Sequence, residues 1–162
     1  LDKVLRAERQ HVESRAIRRV YGVTLFDDPY LNGLVDGVLW INDSKSTNVT
    51  STAVAIAALD RPFVLLLGGR HKGEPYTRLA DVMAGRCRAV VAYGESGATV
   101  ERDLAGRVPL VRAGTFEEVL AAARGLAVPG DAVLLSPACS SYDMFDNYEQ
   151  RGARFRALVE GF

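Results

Sequence analysis

Five short apolar runs, unbroken and evenly spaced, dictate the architecture of this chain. They are Val38–Ile41, Phe63–Leu67, the run Arg88–Ala92, Pro109–Val111 and Ala132–Leu135. A strand with one wet face alternates apolar and polar residues, whereas a strand covered on both faces reads as a continuous apolar run. Helix signals fill the intervals. Asn48 or Thr50 caps a helix through Ala58, Thr77 opens one to about Ala84, and Ser96 caps one to about Leu104. Thr115 with Glu118 three residues on forms a capping box for a Phe116–Gly125 helix. Tyr142 to Val159 reads as mostly helix, with Ser140 or Ser141 available as its cap. Strand and helix thus alternate about five times, which predicts an α/β, Rossmann-like three-layer sandwich with a mostly parallel sheet of about five to six strands.

The N-terminal segment is of another kind. Residues 1–20 set Val4, Leu5, Val12, Ala16, Ile17 and Val20 among many charges, the pattern of an amphipathic helix. Residues 21–37 crowd Gly22, Asp27-Asp28-Pro29, Asn32-Gly33 and Asp36-Gly37 together and read as a hairpin or irregular loop. The natural division is therefore an atypical segment, 1–34, followed by one globular domain, 35–162. Twenty Lys and Arg balance twenty Asp and Glu, which argues against a nucleic-acid binder working by bulk phosphate neutralisation. The longest apolar run, Phe63–Leu67, is strand-sized, far short of the roughly 20 residues of a membrane helix. Charged residues interrupt positions 1–22 throughout, unlike a secretory leader. With only Cys87 and Cys139, a disulfide scaffold is excluded and a reducing cytoplasm is the expected compartment. The chain opens on Leu1, as expected of a piece cut from something longer.

In an open parallel sheet the ligand sits beyond the carboxyl ends of the strands, so the loops after the apolar runs carry the functional information. Asn42-Asp43-Ser44-Lys45-Ser46-Thr47-Asn48 is seven polar residues entering a helix, where outward N–H groups and the helix dipole favour an anion. A cap needs only one of those hydroxyls; Lys45, a cation near a helix start, is better explained by an anion beside it. Gly68-Gly69-Arg70-His71-Lys72-Gly73 lets backbone approach a ligand and adds a second basic arm. It is not a phosphate-binding P-loop, because Glu74 follows Gly73. Taken alone, Arg70 and His71 are better explained as a solvated loop than as catalysts. Ser136-Pro137-Ala138-Cys139-Ser140-Ser141 is the third loop. Cys139 has no His beside it in sequence and reads as a packed thiol, as does Cys87. Gly-x-Ser-x-Gly and zinc-ligand spacings are missing, and no metal site is expected. Lys45, Lys72, Thr47 and Ser141 together suit a small dicarboxylate. With no P-loop and no acid–base pair, the set is half an active site.

These loops resemble a known family. Asn42-Asp43-Ser44-Lys45, Leu66-Leu67-Gly68-Gly69 with Lys72-Gly73, Ser136-Pro137-Ala138-Cys139, and Asn147-Tyr148-Glu149-Gln150-Arg151-Gly152 are similar, from about Val35 to Phe162, to the C-terminal domain of the Mur ligases. The branch they most resemble adds D-glutamate to UDP-N-acetylmuramoyl-L-alanine in peptidoglycan synthesis. The resemblance implies a three-domain ATP-dependent ligase. An N-terminal domain holds the UDP-sugar, a central ATPase domain carries the P-loop and most Mg2+ ligands, and the C-terminal domain brings the amino acid. It implies that Thr47 and Lys72 hold the α-carboxylate of D-glutamate, and that Ser141 and the region of Tyr148 hold the side-chain carboxylate. Tyr148 stands where the family often has Phe, so a backbone contact is expected there. Asp43 is implied to reach the ATP ribose, and Lys45 to face the phosphates or the charge that develops in catalysis. Residues 14–34 depart from the family pattern, and His11-Val12-Glu13 stands where a His-Arg pair is expected. Two other readings remain: a non-catalytic anion-binding or partner-docking module derived from such a domain, and a nucleotide-binding Rossmann domain, for which Gly68-Gly69 without Gly-x-Gly-x-x-Gly is poor support. The 162-residue chain alone is expected not to turn over ATP.

Overall fold

The computed structural model describes residues 31–162. The helix expected over 1–20, and residues 21–30 of the expected hairpin or loop, lie outside the described residues. Six strands form one sheet in the order β1-β2-β6-β3-β4-β5: β1 Leu31–Val35, β2 Val38–Asn42, β3 Phe63–Gly68, β4 Cys87–Tyr93, β5 Leu110–Arg112 and β6 Ala132–Leu135. The helices are α1 Val49–Ala58, α2 Ala80–Met83, α3 Gly97–Leu104, α4 Phe116–Leu126 and α5 Tyr148–Glu160. This is the expected Rossmann-like α/β sandwich.

Strands β2 to β6 pair in parallel, and β1 alone runs antiparallel to its neighbour. The hairpin follows from Asp36-Gly37, whose φ values of 54° and 77° make a two-residue turn of the type that matches strand twist. The pleat explains the unbroken apolar runs. On β2, Leu39 and Ile41 join one core with α1, α2 and α3, while Val38 and Trp40 join another with α4 and α5. Leu65 and Leu66 likewise face opposite layers, and both are wholly buried. No helix among the described residues is long and apolar enough to cross a membrane.

Most helix starts obey local chemistry. Asn48 Oδ1 accepts the Ser51 amide at 2.8 Å, and the Thr115–Glu118 capping box is complete. Three expectations fail. The helix expected from Thr77 is a 3-10 turn, Tyr76–Leu79, that becomes α-helical only at Ala80. Ser96 makes no cap bond; its hydroxyl lies instead 3.5 Å from the Cys139 thiol. The last helix starts at Tyr148, with Asn147 Oδ1 rather than Ser140 or Ser141 accepting the Gln150 amide. Residues 141–146 are diverted by two stronger claims. The Ser141 carbonyl accepts the Met144 and Phe145 amides, and the Asp143 carboxylate accepts the Glu95 amide at 3.1 Å.

Candidate functional site

Strands β2, β6 and β3 are neighbours whose carboxyl ends lie together: β2 and β6 end at the paired Asn42 and Leu135, and β3 runs on to Gly68 just past Leu66, which is also opposite Leu135. The three loops that leave them therefore start side by side. The β6 loop lies in the middle and is bonded to both others. Its Leu135 and Pro137 carbonyls accept the Asp43 and Gly68 amides at 2.8 and 3.2 Å, the Ala138 amide donates to the Ser46 carbonyl at 3.1 Å, and the Ser140 carbonyl accepts the Arg70 amide at 2.9 Å. Such contacts demand close approach. A Cβ on Gly69, whose φ is +136°, would stand 2.3 Å from the Ser140 carbonyl oxygen. Ala138 is a buried non-glycine residue at φ 57°, a conformation that costs an L-residue about 1–2 kcal/mol and persists because its neighbours leave it no other.

Side chains complete the frame. Asp43 Oδ2 accepts the Ser46 hydroxyl at 2.5 Å and the Ser136 hydroxyl at 2.8 Å, so the residue expected near the ATP ribose also organises its own loop. Asn42 Nδ2 donates to the Gly152 carbonyl at 2.9 Å. Ser44 Oγ donates to the Tyr148 carbonyl at 2.7 Å, which makes the backbone of Tyr148 part of the loop junction. Under that junction lies Arg151, 0% exposed. Its Nε donates to Ser44 Oγ at 2.9 Å, its Nη2 to the Ser44 carbonyl at 2.8 Å and its Nη1 to the Cys139 carbonyl at 3.2 Å. All three partners are neutral oxygens, so the guanidinium is held by hydrogen bonds rather than by a direct ion pair among the described residues.

On this frame the predicted residues fall as follows. Thr47 is half-buried and Ser141 buried, while Lys45 and Lys72 are exposed. Neither ammonium has a hydrogen-bond or ion-pair partner among the described residues. Arg70, by contrast, is already committed to Glu95, with Nε–Oε2 3.2 Å and Nη2–Oε1 3.3 Å, and that pair raises the guanidinium pKa. Cys139 is wholly buried. Burial pushes its thiol up, against the opposing hydrogen bonds from Ser96 and Tyr76, so it is not a thiolate nucleophile. Burial likewise pushes the Cys87 thiol up to about 12. Among the described residues no group of three or more His, Cys, Asp and Glu lies together as a metal would require. The arrangement sets two ammoniums without partners among the described residues, one half-buried hydroxyl and one buried hydroxyl on adjoining loops above a buried guanidinium. Among the described residues it offers no evident acid–base pair for chemistry of its own.

Sequence reasoning missed Arg151 as a structural cation, quoting it only within a motif. Its signal is its phase: Arg151, Phe155 and Val159 follow one another at intervals of four and are all buried, so a charge occupies the apolar stripe of α5. It also missed Tyr76, which nothing local marks, and read His71 as part of a solvated loop rather than as a partner of the Tyr76 hydroxyl.

The family described as Mur ligase, glutamate ligase domain matches residues 31–139. A protein of Salinibacter ruber named UDP-N-acetylmuramoylalanine--D-glutamate ligase is 55% identical over 127 residues, covering 78% of this chain and 28% of that protein. Proteins of the same name from Myxococcus xanthus and Acidobacterium capsulatum are 44% and 47% identical, over 78% and 77% of this chain and 28% and 27% of theirs. The chain thus spans under a third of the length of the curated relatives it matches. In fold it is similar to a domain assigned to a UDP-N-acetylmuramate:L-alanyl-gamma-D-glutamyl-medo-diaminopimelate ligase from Haemophilus ducreyi. That likeness has a TM-score of 0.53 at 17% identity and covers 80% of this chain and 97% of the other. By that family match over most of its length, the chain belongs to the Mur ligase, glutamate ligase domain family.

Proposed function

We propose that this chain is the C-terminal, amino-acid-holding domain of an ATP-dependent amide ligase that joins D-glutamate to UDP-N-acetylmuramoyl-L-alanine in cytoplasmic peptidoglycan synthesis. The observation that carries the reading is that Lys45 and Lys72, on loops bonded together through residues 136–141, have no partner among the described residues. The names of the relatives from Salinibacter ruber, Myxococcus xanthus and Acidobacterium capsulatum supply the amino acid.

In this reading Thr47 and Lys72 hold the α-carboxylate of D-glutamate, while Ser141 and the backbone at Tyr148 hold its side-chain carboxylate. Two anchored carboxylates fix the amine between them, and an amine must stand about 3–3.5 Å from the acyl carbon to attack it. ATP with Mg2+, held mainly by the central ATPase domain of the same ligase, would supply the phosphoryl group that activates the muramoyl-alanine carboxylate. Lys45 is exposed on the loop that would face that reaction, where a cation lowers the energy of developing negative charge. The Asp43 carboxylate, which fits a ribose hydroxyl by its chemistry, would contribute one of this chain's ATP contacts; Lys45 would contribute the other.

Calorimetric titration of the chain with D-glutamate and L-glutamate tests the reading. Saturable uptake of D-glutamate in preference to L-glutamate is expected, weakened at least about tenfold by Lys72→Ala. Equal response to both enantiomers, or indifference to Lys72→Ala, contradicts it.

A further inference from the structure

The segment that carries Lys72 has a feature the proposed function does not use. Arg70, His71 and Lys72 stand between two glycines at positive φ, Gly69 at +136° and Gly73 at +89°, and a Cβ on Gly73 would meet nothing within 4 Å. Left to itself such a tripeptide would swing between two permissive hinges. Arg70 is held by its amide bond to the Ser140 carbonyl and by Glu95. Lys72, the residue that must aim at a ligand, is held by nothing among the described residues. Between the two stands His71.

His71 is not loose. Its Nδ1 lies 2.9 Å from the Tyr76 hydroxyl, and the two rings are 5.4 Å apart. Tyr76 is 1% exposed, and its hydroxyl also lies 2.9 Å from Cys139 Sγ. The base of Tyr76 is fixed as well, its amide donating to Asp103 Oδ2 at 3.0 Å. Cys139 in turn contacts Ser96 Oγ at 3.5 Å, and its carbonyl accepts from Arg151. A core position that needed only apolar volume would take Phe; a buried hydroxyl is tolerated because it is satisfied. Here it is satisfied on both sides, once by the β3 loop and once by the β6 loop.

We propose that Tyr76 is a positioning strut, its hydroxyl joining the His71 imidazole to the Cys139 thiol so that Lys72 and Ser141 are held as one rigid pair of arms. The proposal deepens the reading of the site as a D-glutamate holder and rests on it. Tyr76 and His71 act through Lys72 and Ser141 and need not touch the ligand. The strut removes conformational freedom from the arms before binding, which is where preorganisation raises affinity.

The test uses the whole 162-residue chain with D-glutamate as probe. Tyr76→Phe keeps the ring and deletes the link, His71→Ala removes the other end at an exposed position, and His71→Asn restores a polar atom where Nδ1 stood. Each of the first two is expected to raise the dissociation constant about fivefold, their combination no further, and His71→Asn to bind like the parent. Because they break one connection, their effects must not multiply. An unchanged constant in His71→Ala, or multiplying effects in the double variant, overturns the proposal while the parent still binds and Lys72→Ala still fails. Should the parent take up no D-glutamate, the reading of the site fails instead, and the strut is judged by hydrogen exchange of the Arg70 amide. Exchange about tenfold faster in Tyr76→Phe or His71→Ala supports the strut; an unchanged rate in both overturns it.

Discussion

Arg151 Nη2 donates to the Ser44 carbonyl at 2.8 Å, across 107 positions of sequence, from a guanidinium with no exposure to solvent. One side chain of α5 thereby ties the β2 loop to the β6 loop. Removing it takes a donor from the Ser44 and Cys139 carbonyls and from the Ser44 hydroxyl, which keeps its bond to the Tyr148 carbonyl, and opens a cavity. Arg151→Ala is expected to cost about 4 kcal/mol in urea denaturation, and Arg151→Lys, which keeps charge but loses the fork, about 2 kcal/mol. A loss under about 1 kcal/mol in the alanine variant would show that the loops hold each other without it.

Ala138 offers a test of strain. At φ 57° glycine relieves the side-chain penalty but gains freedom in the unfolded chain, and the two effects are each about 1 kcal/mol. Ala138→Gly should therefore change the unfolding free energy by less than about 0.5 kcal/mol. Ala138→Val, β-branched and buried, should lose more than about 2 kcal/mol. A tolerated valine would mean that the loop can leave this conformation.

At the opposite end of the sheet, Arg88 forks onto Asp131, with Nη2–Oδ1 2.9 Å, and the Val128 amide donates to the same carboxylate at 2.9 Å. Burial opposes ionisation of Asp131, but the Arg88 bonds and the Val128 amide outweigh it and lower the carboxyl pKa. A depressed folded pKa gives stability that is present above the unfolded value and lost as pH falls through the folded one. Asp131→Asn should thus cost about 2 kcal/mol near pH 7. Its deficit against the parent should shrink as the pH drops below about 4. A deficit independent of pH would assign the cost to shape rather than charge.

The purified chain should show no ATP-dependent ligation and no ATP hydrolysis above background, because Gly68-Gly69-Arg70-His71-Lys72-Gly73-Glu74 lacks the Lys-Ser/Thr ending of a phosphate loop. Phosphate release assayed with D-glutamate present decides it.

The sheet was legible because its strands are covered on both faces. A sandwiched strand bounded by Pro62 and Gly68-Gly69 explains the short unbroken run Phe63–Leu67, and all six residues of β3 are buried. The Thr115 cap was legible from its capping box, and Asn48 was one of two candidates for the first helix; Asn147, with the same three-residue spacing to the Gln150 amide, was not read as a cap. Two of the misreadings reflect competition from distant partners. The Ser96 hydroxyl lies by Cys139, 43 positions away, and makes no cap bond, although the helix still starts at Gly97; Asp143 is drawn to the Glu95 amide, 48 positions away, and the last helix starts later than its local signal suggests. Arg151 and the Tyr76–Cys139 contact are long-range in the same sense, so their roles exist only in the folded chain. The loops that carry Lys45, Thr47, Lys72 and Ser141 could be located beforehand because a parallel sheet fixes where its loops must emerge.

If the three loops act as one receptor, amide chemical shifts of the chain titrated with D-glutamate measure that directly. Residues in 43–48, 69–73 and 137–141 should shift together, saturate with a single dissociation constant, and all fall silent in Thr47→Ala. Shifts confined to one loop, or three loops saturating at different concentrations, would contradict it.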